Sequence, residues 1–418
     1  MTPRSRKPIV SHFNVMVVGF SGVGKTSFVR TLLESLKLNL TKEKRDTMFQ
    51  PSDGGNGQNL IQGPLERTLV PYTVSVDAQV DGEKMVLTLV DTPGFQTDYT
   101  VDKQLHDIIG YIEHQFDLTL AEENKVKRNP KAVDTQVHAC IYFVDPSKKD
   151  LDEFDIRVLS ELSNRVNVIP VIGKSDTLTL AQRIRLKPTI IKSIYNTHKI
   201  PLYGMPEEEE EEDGDGEDDD VENEGINEKN GINSNGDNDD SINGNAIDNN
   251  GDTVVKKINK DTKKESPSLD VFLQQFDYEN EDDEVQSFID YLQAIPFTFI
   301  ACEEDPDTGA PIQITSKSTQ STSSSSSSPT CDDKDDKKSP IILGRDYGWG
   351  TIDCLSDDYS DFNKLKTMLL VSHRRILMTE TVERYYEQYR TERLLQKRAT
   401  KMKSMVVGKK ILEDLNHL

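Results

Sequence analysis

Cysteine is scarce. Cys140, Cys302, Cys331 and Cys354 are the four among 418 residues, and no two stand at metal-ligand spacing. That leaves out a disulfide framework and a thiolate metal centre. No apolar run approaches the length that spans a bilayer. The N-terminal stretch MTPRSRKPIVSH is basic but has no apolar segment of the kind a signal peptide carries, so cytoplasmic residence is the expectation. Positive charge is in deficit: the formal net charge is −23, with 34% hydrophobic residues. The deficit is concentrated. Between Glu207 and Asp252 stand 20 acidic residues and one lysine, so the remainder is close to neutral and reads as an ordinary folded domain. Phosphate backbones need net positive partners, and the balance argues against nucleic acid as a partner.

Against these absences stands GFSGVGKT, Gly19 to Thr26, which fits the phosphate-loop pattern G-x-x-x-x-G-K-[ST]. The run before it, Phe13 to Val18, has the look of a buried parallel strand. After it, Phe28, Leu32, Leu33 and Leu36 recur at helical spacing across Ser27 to Leu38. In such a loop Gly19, Gly22 and Gly24 let the backbone aim its N–H groups at phosphate oxygens. Lys25 reaches the β- and γ-phosphates, and the Thr26 hydroxyl holds Mg²⁺.

Residues 39 to 67 are polar and read as a long mobile loop. Thr68 to Val80 and Met85 to Val90 read as strands around an Asp81-Gly82 turn. The second strand delivers Asp91-Thr92-Pro93-Gly94. Alone this would be an Asp-Pro-Gly turn. Behind a phosphate loop and a buried strand, Asp91 reads as the acid that holds Mg²⁺ through water, and Gly94 as room for a γ-phosphate. Two readings of Thr68 stand side by side: a switch threonine closing over Mg²⁺ and phosphate, or an exposed loop hydroxyl. Residues 101 to 125 read as a helix, Val137 to Val144 as a buried strand, 150 to 163 as an amphipathic helix, and Val166 to Ile172 as a further strand.

That strand ends in Gly173-Lys174-Ser175-Asp176. In the N-K-x-D pattern the aspartate accepts from N1–H and the N2 amine of guanine, donors adenine lacks, and the lysine stem packs on the base. Here Gly173 stands for the asparagine. Alternating strands and helices with these loops at strand ends imply a doubly wound α/β domain with one nucleotide site.

With GFSGVGKTSF, ERT at 66–68, LVDTPGF at 89–95, EENKVKRNP at 122–130, VHACIYFVDP at 137–146, VNVIPVIGKSDTLT at 166–179 and GRDYGWG from Gly344 to Gly350, the chain resembles a septin. The closing stretches DFNKLKTMLLVSH and TVERYYEQYRTERL resemble the element found in septins after the GTPase domain. The likeness covers most of residues 12–395, with 340–395 as the septin-unique element. It implies a septin-type phosphate-loop GTPase domain with a guanine-nucleotide site. The implied site comprises Gly19, Ser21, Gly22, Val23, Gly24, Lys25, Thr26, Ser27, Gly94, Lys174, Ser175, Asp176, Ala301 and Arg345. It also implies Mg²⁺ held by Thr26, Thr68 and Asp91, catalytic help from Thr68, which lies 23 positions before Asp91, and a subunit interface at Trp349, Lys149 and Gln182. The implied partners are other septins in hetero-oligomeric filaments and an anionic phosphoinositide membrane surface. The implied places are the cytoskeleton at the cell cortex, the bud neck or septum, and the prospore membrane of a sporulation-type fungal septin.

The sequence departs from the family pattern at Gln96, which stands for a glycine. It departs again at Lys148-Lys149-Asp150, which replace a Gly-His-Gly turn, and at Gln182, which replaces a glutamate. Phe95 occupies the position of the water-orienting glutamine of Ras-like proteins, so hydrolysis should be slow at best. Outside this frame lie a basic arm (1–11), an acidic insert (206–268), a Ser/Asp/Lys insert (303–340) and a short basic tail (396–418). Both inserts lack the apolar content to fold and are expected to be disordered. The tail shows no sustained heptads, so coiled-coil pairing is not expected. Two other readings compete with a filament subunit: a cycling regulatory GTPase acting through Thr68, and an unrelated phosphate-loop ATPase or kinase.

Overall fold

The computed structural model describes residues 10–38, 68–80, 82–96, 100–129, 132–205, 282–315 and 341–416. The expected mobile loop at 39–67, nearly all of the basic arm, Asp81, the acidic insert and the Ser-rich run at 322–328 lie outside them.

A six-stranded sheet runs in the order β2-β3-β1-β4-β5-β6. Its strands are β1 (Ser11–Gly19), β2 (Tyr72–Val80), β3 (Glu83–Asp91), β4 (Ala139–Val144), β5 (Val168–Ile172) and β6 (Phe297–Thr298). All neighbouring pairs are parallel except β2, which returns antiparallel from β3 with Tyr72 opposite Asp91. The central strands are covered on both faces. Hence β4 and β5 are buried at every position and β1 along most of its length, and they read as unbroken apolar runs. β2 is an edge strand, and its Val74, Val76 and Ala78 alternate inward.

The helices are α1 (Lys25–Leu38), α2 (Val101–Glu123), α3 (Glu153–Ser163), α4 (Leu180–Lys192) and α5 (Asp283–Ala294). A stripe of Leu105, Ile108, Ile112, Phe116 and Leu120 on α2 is buried, as the helical period requires. After β3 the chain crosses to the far side of β1. The carboxyl ends of β1, β3 and β4 therefore flank a topological switch point, where open α/β sheets bind ligands.

One aromatic cluster underlies that crevice. Phe28 of α1 contacts Phe143 (5.4 Å between centroids), Phe299 (5.2 Å) and Phe362 (5.9 Å). Such pairs contribute about 0.5–1.5 kcal/mol each beyond their burial.

The C-terminal element is docked on this domain. It comprises α6 (Phe362–Thr367), a π-helical turn (Met368–Ser372), α7 (Arg374–Glu380), a second π turn (Thr381–Tyr386) and α8 (Glu387–Asn416). Tyr386 and Tyr389 pack on Phe116. Arg165 donates to both carboxylate oxygens of Glu392 at 3.2 and 2.8 Å. Asn167, fully buried at the entry to β5, donates to the carbonyls of His138 and Leu377. Residues 396–416 of the expected short tail are the distal two-thirds of α8, a helix of 30 residues. Its Lys, Arg, Glu, Leu and Met are good helix formers, and no proline interrupts them.

A second correction concerns the insert at 303–340. Residues 303–315 are ordered. Glu304 bridges to Pro311, and β7 (Gln313–Thr315) pairs antiparallel with β8 (Ile341–Asp346), which pairs in turn with β9 (Thr351–Asp353). The cause is a set of polar contacts that composition does not reveal. The Asp305 carboxylate accepts the backbone N–H groups of Asp307 and Thr308. Arg30, 4% exposed on its side chain, pairs with Glu304 at 2.8 Å and donates to the Gly309 carbonyl.

Candidate functional site

A cleft of about 650 Å³ opens at the carboxyl ends of the strands. Ser21, Gly22, Gly24, Lys25, Thr26 and Ser27 line its floor, Thr68 and Gly94 one wall, and Lys174, Ala301 and Arg345 the far end. Of the remaining predicted residues, Val23 and Ser175 are buried behind this surface. Gly19 closes β1 beneath it, and Asp91 and Asp176 stand just outside its lining.

The backbone explains the tight fit of the loops. Phe95 N–H donates to the Gly19 carbonyl at 3.2 Å, and Ser21 N–H donates to the Phe95 carbonyl at 2.9 Å. The Thr92 hydroxyl, buried, donates to the Val17 carbonyl. This clamps the D-T-P-G segment against the phosphate loop. A Cβ on Gly94 would lie 2.5 Å from Ser21 Cα, so any larger residue there must displace the phosphate-loop backbone. Gly173 meets the same limit, since a Cβ there would lie 2.2 Å from the Val23 carbonyl oxygen. Where the N-K-x-D pattern has an asparagine, this chain packs the two loops backbone to backbone. Lys174 adopts a left-handed conformation (φ 45°), which presents it to the cleft.

Lys25 is buried, and its ammonium donates to the carbonyls of Gly19 (2.9 Å) and Phe20 (2.8 Å). Burial lowers its pKa from 10.5 to about 8, with Asp91 opposing the shift. The hydroxyls of Thr26 and Thr68 both donate to Asp91 Oδ2, at 2.7 and 3.0 Å. Asp91 Oδ1 is buried with no hydrogen-bond partner, and burial raises the pKa of the carboxyl group. Two hydroxyls and a carboxylate with an unpartnered oxygen form a set of hard oxygen donors suited to Mg²⁺. Phe95 is buried edge-on against Phe20, so its side chain belongs to the core.

At the far end Ser175 donates to the Phe299 carbonyl through both its N–H and its hydroxyl. Asp176 Oδ2 accepts from the Tyr347 hydroxyl at 2.8 Å. The three interface candidates are exposed. Trp349 is 79% exposed and stacks on Tyr347, Lys149 projects outward, and Gln182 completes the capping box of α4 with Thr179. Lys148, in the turn that departs from the family, points inward instead. It pairs with Asp155 and Asp152, both at 2.6 Å, above the Phe20 ring. Sequence reasoning missed Thr92, Tyr347, Glu303 and Glu304. The acidic pair directly follows the buried apolar run 297–302 that continues from β6, which is the signal that was available.

Sheet order, phosphate loop and the D-T-P-G clamp define a protein of the phosphate-loop GTPase fold. The septin family model matches residues 10–228 and 326–403, and the chain belongs to the septin family. It is 30% identical over 407 residues to Septation protein 7 of Candida albicans, covering 91% of this chain and 48% of that protein. It is 37% identical over 201 residues to Septin homolog spn3 of Schizosaccharomyces pombe, covering 47% and 50%. The chain thus spans about half the length of these relatives. A crystal structure of the septin GTPase domain from Chlamydomonas reinhardtii aligns at 19% identity with a TM-score of 0.48, over 92% of this chain and all of that one. Among the described residues no helix is long and apolar enough to cross a membrane.

Proposed function

We propose that this septin binds a guanine nucleotide with Mg²⁺ and assembles with other septins into filaments at the cell cortex. It would act there as a scaffold in septation or sporulation, at the bud neck, septum or prospore membrane. The observation that carries the reading is the meeting, in and around one cleft, of phosphate loop, Thr68–Asp91–Thr26 cluster, and Lys174 with Arg345. The phosphate loop and Lys25 take the phosphates. Thr26, Thr68 and Asp91 would hold Mg²⁺, which would supply neutralisation of phosphate charge. Asp176 selects guanine, Lys174 and Arg345 pack on the base, and Ala301 closes the base end. Trp349, Lys149 and Gln182 belong to the surface that meets a neighbouring subunit. An anionic phosphoinositide surface is the proposed membrane partner.

The 3.0 Å bond from Thr68 to Asp91 favours a second reading, slow hydrolysis in a cycling GTPase. The test is to denature purified protein and identify the released nucleotide by chromatography, in wild type and in Thr68→Ala. GDP in the wild type and GTP in the variant would support hydrolysis through Thr68. GTP in both would make the chain a non-hydrolysing structural subunit. No nucleotide in either would refute the binding site.

A further inference from the structure

The tip of the β8–β9 hairpin is built to aim one side chain. Gly348 takes a positive φ of 78°, Tyr347 N–H donates to the Gly350 carbonyl, and Gly348 N–H donates to Asp346 Oδ1 at 2.8 Å. The tip is tethered to the segment after β6: Asp346 N–H donates to Glu303 Oε2, and Glu303 N–H donates to the Gly344 carbonyl. The aimed group is the Tyr347 hydroxyl, which reaches Asp176 Oδ2 across 171 residues of sequence. Tyr347 also stacks on Trp349 with centroids 5.5 Å apart, and the Arg345 guanidinium lies 5.6 Å from its ring centre. The other carboxylate oxygen, Asp176 Oδ1, is buried and has no hydrogen-bond partner.

We propose that Tyr347 is a positioning residue for guanine selection: its hydroxyl fixes the Asp176 carboxylate so that the remaining acceptor sites meet the two N–H donors of the base. The proposal rests on the guanine-nucleotide reading of the cleft. A carboxylate offers about four acceptor sites. Tyr347 fills one and leaves Oδ1 and the second lone pair of Oδ2. A carboxylate held in one rotamer loses less freedom when the base arrives than one that swings, and that difference appears as affinity for guanine alone. The contacts of the Tyr347 side chain itself are with Asp176, Trp349 and Arg345, and none of these belongs to the phosphate loop. Tyr347 therefore acts on which base is held.

The test is Tyr347→Phe, which deletes the hydroxyl and keeps the ring on Trp349. Because Trp349 is the only tryptophan, its emission reports directly whether the hairpin tip survives. Affinity for GTP should fall about tenfold, the worth of one charge-assisted hydrogen bond. Affinity for inosine triphosphate, which lacks the exocyclic amine and makes one bond fewer to Asp176, should fall less. In an Asp176→Ala background the same change should alter neither, because a residue acting through Asp176 has nothing left to act on. Equal losses for both nucleotides, a loss that persists without Asp176, or unchanged or tighter GTP binding would overturn the proposal. Those results would leave the nucleotide site standing. A wild-type chain that binds neither nucleotide would instead overturn the nucleotide reading, and this proposal with it.

Discussion

Nucleotide binding at about pH 9 should take up close to one proton per site, and Lys25 is the reason. Its ammonium is buried beneath the phosphate loop and its pKa is lowered to about 8. Bound phosphate restores the charge partner that burial withholds, and the pKa returns toward the ordinary 10.5. Uptake is then ~0.1 proton at pH 7, ~0.5 at pH 8 and ~0.9 at pH 9, where the nucleotide phosphates are fully ionised. Affinity should fall about tenfold per pH unit above about pH 8. The sign for stability follows from the same shift. A lysine whose folded pKa lies below its unfolded value burdens the fold fully below about pH 8. That burden, about 3 kcal/mol, fades as pH rises toward 10.5. Calorimetric titration in buffers of different ionisation enthalpy counts the protons directly. Uptake near zero at about pH 9, or uptake that persists in Lys25→Arg, whose guanidinium stays charged, would refute the reasoning.

Three further outcomes are expected. Phe28→Ala removes the hub of the four-ring cluster and should cost about 3–5 kcal/mol of stability, read from denaturant unfolding. Gly94→Ala should fold but lose nucleotide affinity at least tenfold, since its Cβ must push Ser21 away from a contact of 2.5 Å; equilibrium binding checks this. Lys148→Met strands the buried carboxylate of Asp155 and should destabilise by about 3 kcal/mol. Adding Asp155→Asn should recover part of the loss, a coupling that thermal unfolding of the double variant would reveal.

Much of the domain was readable because its physics is local. Buried parallel strands announce themselves as apolar runs, and Gly19 to Thr26 carries its geometry in its own residue types. The loop residues that line the cleft can be listed from sequence for the same reason. What escaped depends on partners distant in sequence. Residues 303–315 look too polar to order themselves, and they do so through Arg30 on α1. Lys148 reads in sequence only as part of a departure from a Gly-His-Gly turn. It is drawn in by Asp155, seven residues on, and covers Phe20. Tyr347 was one letter in a matching motif, and its bond to Asp176 exists only once β5 and β8 are brought to the same end of the sheet. The tail was judged by its missing heptads, a test of helix pairing that says nothing about a single helix carried on by its own propensities.

The four-ring cluster has a consequence for how the chain can be taken apart. Phe28 lies in the first turn of α1, which opens at Lys25, and Phe362 begins the C-terminal element. The C-terminal element and the candidate nucleotide site are therefore one piece of material. A truncation before Phe362 would open a hole directly below Lys25 and Thr26. The C-terminal block could not be exchanged between relatives as a cassette without re-tailoring the first turns of α1. Hydrogen exchange across the two regions should report a single opening event, and a change at Phe362 is felt at Phe28.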